Sequence, residues 1–208
     1  MSESNKPCEP CKPWWKRPLC FGSILFFVGF ITFGLFNIGV RATNTGEFCV
    51  SCHSMQWNLE ELKQTAHYKS PSGVQAGCPD CHVPREYGPM LVAKIMAAKD
   101  VWHEILGTID TKEKFEAHRW NMANRVWAKM KATDSRECRE CHKAGDMDLE
   151  NQGSSARKKH AKMAEKGKTC IDCHKGIAHQ EPDAPPGTVL PGDEADDAPA
   201  EPAVDKPA

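Results

Sequence analysis

Four times in the 208-residue chain two cysteines stand two residues apart with a histidine directly after the second: Cys49-Cys52-His53, Cys78-Cys81-His82, Cys138-Cys141-His142 and Cys170-Cys173-His174. Thiols at that spacing add to the two vinyl groups of a porphyrin while the adjoining imidazole binds its iron, which is the chemistry of c-type haem attachment. Eight of the eleven cysteines are used in this way. A single copy would also fit a structural thiol pair; four copies exclude that alternative. Four covalently bound haem c groups are therefore expected.

Each iron has room for a second axial ligand, and the spacing of the remaining histidines offers candidates. His67 lies 11 residues before Cys78 and His160 lies 10 before Cys170, while Cys49 to Cys78 spans 29 residues and Cys138 to Cys170 spans 32. This matched placement reads as a repeated two-haem unit, over 41–110 and 111–180, in which His67 and His160 share a role as distal ligands. His179, five residues beyond His174, can be held by a tight turn against a neighbouring haem. His118 fits a core histidine as well as a ligand, and His103 is a weaker candidate still. The first motif continues as His53-Ser54-Met55, so a thioether could replace His53 on the iron or only pack against the porphyrin.

The elements that must position these groups follow from composition. Residues 1–17 form a basic tail with Lys6, Lys12, Lys16 and Arg17 against Glu3 and Glu9. Leu19 to Val40 then carries no charged residue, long enough for a transmembrane helix over 18–40, since a bilayer core needs roughly 20 apolar residues. A cleaved signal is disfavoured because no small-residue cleavage site follows Val40. Basic flanks tend to stay cytoplasmic. The expected location is thus the bacterial inner membrane, crossed once, with residues 41–180 as a haem domain in the periplasm. Gly22, Gly29, Gly34 and Gly39 would let a second span approach closely, which allows a homodimer. No nucleic-acid partner is expected.

Two cysteine features stand outside the haem pattern. Cys8 and Cys11 lack a following histidine and read as a thiol pair in the tail; Cys20 reads as a small apolar residue. The far end, 181–208, holds eight acidic residues against Lys206 and is rich in Pro and Ala, so disorder is expected there. Removing both tails from the net charge of −1 leaves about +4 on residues 18–180. That balance would steer an acidic electron-transfer partner.

The fold class expected is mainly α with little or no strand. Pro89 suits the first turn of a helix reaching Gly107, with Leu91, Ile95, Ala98, Trp102 and Ile105 as its buried stripe. Asp110 and Glu113 resemble a capping box opening a second helix through Ala132, with Phe115, Met122, Val126, Met130 and His118 on one side. Lys94 and Asp100 lie off the first stripe, about 120° apart, and on residues alone read as two solvated charges.

Longer stretches carry a resemblance. Ala42-Thr43-Asn44-Thr45, Ser72-Gly73-Val74 running into Cys78-Pro79-Asp80-Cys81-His82-Val83-Pro84, Gly107 to Arg119, Asp134-Ser135-Arg136-Glu137-Cys138 and Cys170 to His179 together resemble the NapC/NirT family of membrane-anchored tetrahaem cytochromes c. The resemblance spans about residues 14–180. It implies a quinol dehydrogenase that takes electrons from membrane quinol and passes them to a periplasmic reductase, most often nitrate reductase. It further implies that Met55 serves the haem nearest the membrane, that Asp100 stands on that haem's other side, that Lys94 is the basic residue of the quinol pocket, and that His67, His160 and His179 supply distal ligands. Asp100 would accept a proton and Lys94 donate a hydrogen bond to a quinol oxygen. The rival expectation is an electron-transfer adaptor to nitrite or another periplasmic reductase, without quinol oxidation of its own. An exposed, open iron site would instead mark a terminal reductase.

Overall fold

The computed structural model describes residues 18–188. The basic tail with Cys8 and Cys11, and most of the acidic segment, lie outside the described residues. The chain divides into two compact units at Asn44 and Thr45.

The first unit is helix α1, Pro18–Ala42. Its 25 residues rise about 37 Å at 1.5 Å each, more than the hydrocarbon core of a bilayer. Mean hydropathy over its best window is 2.3, so it is long and apolar enough to cross a membrane. Two of its polar side chains bond within the helix: Ser23 Oγ donates to the Leu19 carbonyl at 2.9 Å and Asn37 Nδ2 to that of Phe33 at 2.7 Å. Such internal bonds let polar groups sit in hydrocarbon without an unpaid donor. The helix continues past the expected 18–40, through Arg41 to Ala42.

The second unit is built from helices alone among the described residues. In order they are α2 Gly46–Cys49, α3 Met55–Leu62, α4 Cys78–His82, α5 Tyr87–Ile105, α6 Lys112–Ala132, α7 Arg136–Arg139, a 3-10 turn at Ala144–Asp146, α8 Ser154–Ala161 and α9 Cys170–Cys173. The mainly helical expectation holds. Four of these helices are one-turn pieces that carry or adjoin the cysteine motifs, and α5 and α6 supply the length.

Local chemistry sets where α5 and α6 end. After α5, Gly107 takes φ +68°, and its N–H and that of Thr108 return to the carbonyls of Glu104 and His103, both at 3.0 Å. That paired closure needs a left-handed residue just past the helix, which glycine adopts without a Cβ penalty. The cap of α6 is Thr111 rather than Asp110: its hydroxyl accepts from Lys114 N at 3.3 Å. Asp110 pairs with the Lys114 ammonium at 2.7 Å, so the expected Asp110–Glu113 capping box is replaced by a single cap one residue later.

The stripe expected to be buried on α5 is not covered by polypeptide. Ile95 is 73% exposed, and Trp102 and Ile105 are also exposed. The neighbours α2, α3 and α4 have four, eight and five residues, too few to shield a 19-residue helix. On α6 Phe115 is buried as expected, but His118 points outward and its Nδ1 meets the Lys114 carbonyl at 2.9 Å. Among the described residues, the buried apolar side chains of this unit are Leu62, Pro84, Ile109, Phe115 and Ile171. A unit of this size normally needs more.

Candidate haem-binding sites

At the third and fourth motifs a single helical turn shapes the attachment site. His142 N bonds to the Cys138 carbonyl and His174 N to that of Cys170, each at 2.9 Å. An i to i+4 bond brings residues i, i+3 and i+4 onto one side of the turn. Both thiols and the imidazole of each motif can therefore face one ligand. At the second motif helix α4 contains the whole sequence Cys78–His82, and Asp80 Oδ2 caps it by accepting from Gly77 N at 2.8 Å. Asp172 does the same for the fourth motif, accepting from Thr169 N at 2.8 Å while pairing with Lys131 at 2.8 Å.

Each of these three motif histidines faces one of the histidines singled out by spacing. The ring centres of His82 and His179 are 6.2 Å apart, those of His142 and His67 6.2 Å, and those of His174 and His160 5.8 Å. A metal held between two imidazoles at about 2.0–2.1 Å from each nitrogen separates the ring centres by roughly 6 Å. The donor set therefore fits haem iron with two histidine ligands at three motifs. His160 is steadied by Gln152 Oε1, 2.6 Å from its Nδ1, which leaves Nε2 for a metal. His82 keeps surface open to solvent, yet the protein around it dominates: desolvation first, and the charge of His179 second, push its imidazole down to about 4. It stays neutral, the form that ligates.

The first motif is different. His53 is exposed and its ring meets Trp57 edge-on at 5.4 Å. Immediately after it the chain starts helix α3 at Met55. Between them Ser54 is fully buried, with its hydroxyl donating to Glu104 Oε2 at 2.6 Å and its N–H to Oε1 at 3.3 Å. Glu104 thus ties α5 to the turn that carries Met55. Lys94, ten residues earlier on α5, lies close enough to Cys49 for their charges to act on each other, and desolvation lowers its ammonium from the usual lysine range. Asp100 is exposed between them, one turn before Glu104 and on the same side as it. Lys94 and Asp100 thus belong to a helix that touches the first motif at two points.

Neighbouring motifs adjoin in chain order. The Cys49 and Cys78 thiols interact directly: their hydrogen bond, with burial, holds Cys49 far above the usual thiol range, and the same bond brings Cys78 down to about 6 against the opposing effect of burial. Cys81 is raised to about 11 by burial first and by nearby Cys138 next. Burial also raises Cys138, with Cys170 adding to it. Helices α2 and α4, and α4 and α7, pack on one another, and the third motif reaches the fourth where Ile171 N donates to Ser135 Oγ at 3.2 Å.

These sites match known proteins. The model of the NapC/NirT cytochrome c family, N-terminal region, matches residues 15–184. The chain belongs to this family. A putative tetraheme cytochrome-c type protein of Allochromatium vinosum is 60% identical, over 77% of this chain and 88% of its own length. Cytochrome c-type protein NapC of Escherichia coli K12 is 49% identical, over 82% and 88%. The denitrification system component NirT of Stutzerimonas stutzeri is 51% identical, over 74% and 78%. No solved structure matches the chain. As a NapC/NirT cytochrome c with α1 at its start, the protein is membrane-anchored and carries covalently bound haem c.

Several positions that matter locally were not singled out from the sequence: Ser54, Glu61, Glu104, Arg119 and Ser135. Arg119 had a signal, since a charge one turn after Phe115 falls on the apolar side of α6 and so calls for a partner. The serines had none. Asp134 and Ser135 take φ 52° and 49°, left-handed values that cost non-glycine residues of order 1–3 kcal/mol. They are held there by Arg139 on Asp134, with bonds of 2.7 and 2.8 Å.

Proposed function

We propose that this NapC/NirT cytochrome oxidises quinol beside its first motif and delivers the electrons to a periplasmic reductase, a nitrate reductase in the first instance. The observation that carries this is the placing of α5 against the first motif, at Cys49 and at Ser54, with the remaining motifs following in chain order. Four haems held by the eight motif cysteines would accept electrons singly and carry them along that order. His82 with His179, His142 with His67, and His174 with His160 would each hold one haem iron, and Met55 and Asp100 would serve the first centre. The relatives named NapC and NirT support the reading, and the membrane is the inner one, with the haem unit on the periplasmic side.

Quinol gives up two protons with its two electrons, so a base must stand beside the first centre. Asp100 is accessible on α5 and takes that role. Lys94, partly desolvated, donates to a quinol oxygen. The full chain in detergent, mixed with a menaquinol or ubiquinol analogue, should show reduced haem bands; no reduction would leave only the adaptor reading.

The axial assignments have their own spectroscopic outcome. His67→Gly or His160→Gly should convert one low-spin centre to high-spin while mass spectrometry still finds four haems attached. Unchanged spectra would remove that histidine from the iron.

At the outlet, charge is concentrated. Residues 154–175 hold Arg157, Lys158, Lys159, Lys162, Lys166, Lys168 and Lys175 against Glu165 and Asp172, so this stretch carries the excess positive charge of the whole 18–180 region. Lys158, Lys159 and Lys162 are exposed beside His160. Electron delivery to an acidic acceptor should slow by about tenfold or more between low and high salt, since steering of this kind is screened. A salt-independent stopped-flow rate would count against docking at the fourth motif.

A further inference from the structure

A buried ion pair lies directly behind one of the imidazole pairs. Arg119, 7% exposed, grips Glu61 with both terminal nitrogens: Nη2 to Oε1 at 2.7 Å and Nη1 to Oε2 at 2.9 Å. Its Nε and Nη2 also bond Glu116 at 2.6 and 2.9 Å. Glu61 Oε2 accepts in addition from Gln180 N at 2.9 Å, and the Gln180 carbonyl accepts from Arg119 Nη1 at 3.3 Å. The backbone next to His179 is thereby fixed to α3 and α6 across 119 and 61 positions of sequence.

The imidazole itself looks onto this carboxylate. His179 Nδ1 is 3.9 Å from Glu61 Oε2. The nitrogen is buried and makes no full hydrogen bond, although the Asn58 carbonyl also acts on the ring. With Nδ1 turned to Glu61, Nε2 is the nitrogen left for His82's side. A carboxylate placed behind a ligating imidazole fixes the ring and strengthens its electron donation. Arg119 then decides how much of that negative charge the ring feels.

Glu61 has a second connection. It rides on α3, the eight-residue helix that begins at Met55. Arg119 lies over the Phe115 ring at 4.9 Å, Phe115 meets Trp57 at 5.1 Å, and Trp57 meets His53. One packed series of side chains thus runs from the first motif to the ligand pair of the second.

We propose that Glu61, clamped by Arg119, is a positioning residue that orients His179 and sets the reduction potential of the second haem relative to the first. This rests on the reading above that His82 and His179 hold one iron between them. The carboxylate charge favours the oxidised, more positive centre, so its removal raises the midpoint, while removal of Arg119 unmasks the charge and lowers it.

The test is a potentiometric titration of the haem-loaded full chain in detergent, with low-spin signals resolved by electron paramagnetic resonance. His179→Gly first identifies the signal of the second centre by abolishing it. Glu61→Gln should raise that midpoint by a tenfold change in its redox equilibrium, 59 mV for one electron, with the other three centres unmoved. Glu61→Asp should restore most of the wild-type value, and Arg119→Met should move the same centre downward. If Arg119→Met does not accumulate with four haems, the Glu61 pair of variants decides the matter alone. A second-centre midpoint unchanged in Glu61→Gln, or shifts of the same sign in both variants, would overturn the proposal. If His179→Gly leaves every low-spin signal in place, the ligand reading fails and takes the proposal with it.

Discussion

Asp100→Asn should slow quinol-driven haem reduction by about 10²–10⁴-fold, the usual worth of a general base, with four haems still attached. The amide keeps the shape and one acceptor oxygen of the carboxylate, but it cannot take up a proton at neutral pH. Quinol then loses the group that would receive its hydroxyl proton as the electron leaves. Asp100 is suited to the role by place rather than by burial: it is exposed, and it lies one turn before Glu104, which the buried Ser54 pins beside Met55. Lys94→Met acts on binding instead, and should raise KM for quinol more than it lowers kcat. Reduction by dithionite serves as the control and should be unchanged in both variants. Quinol turnover equal to wild type in Asp100→Asn would remove Asp100 from the chemistry; an altered haem spectrum in that variant would show it on the iron as well.

What the sequence made legible were the features whose spacing is short and whose chemistry is narrow. The four motifs could be read without a structure because thiol, thiol and imidazole must sit within one turn to meet a porphyrin. An uncharged run from Leu19 to Val40 has few readings other than a span. His67 and His160 were found from matched offsets, but which motif each faces was not, because that depends on how the short helices stack. His67 in fact crosses to His142 in the other half of the chain, whereas His160 stays with His174. The expected stripe on α5 failed for a related reason. Periodicity identifies an apolar side of a helix, but it cannot say that protein is what covers it, and the pieces beside α5 are too small to do so. Arg119 and Glu61, 58 positions apart, are a tertiary pairing that no local pattern encodes. Ser54 is read from sequence as part of a ligand motif, yet its work is to hold Glu104.

The shortage of polypeptide core has its own consequence, and it gives the largest expected effect on stability. With all eight motif cysteines replaced by alanine, so that no haem is attached, residues 45–188 should be largely unfolded while α1 persists in detergent. Helices of four or five residues such as α2, α4, α7 and α9 lie far below the length of about 12–15 residues at which an isolated helix becomes marginal in water. They hold shape only through what they pack on. Ordering each residue costs about 1–2 kcal/mol of backbone entropy, and Leu62, Pro84, Ile109, Phe115 and Ile171 are a small buried set to set against it. The buried Arg119 pair does not make up the difference, because desolvation offsets much of its attraction. Porphyrins joined to the motif cysteines would supply apolar surface and cross-links together, which a polypeptide that leaves Ile95, Trp102 and Ile105 uncovered does not. Far-ultraviolet circular dichroism of the alanine variant should therefore fall toward the 25 helical residues of α1, with some residual signal from α5 and α6. A haem-free chain that kept native helicity and a cooperative thermal transition would mean that contacts within the polypeptide are sufficient, and that the motifs load a fold already formed.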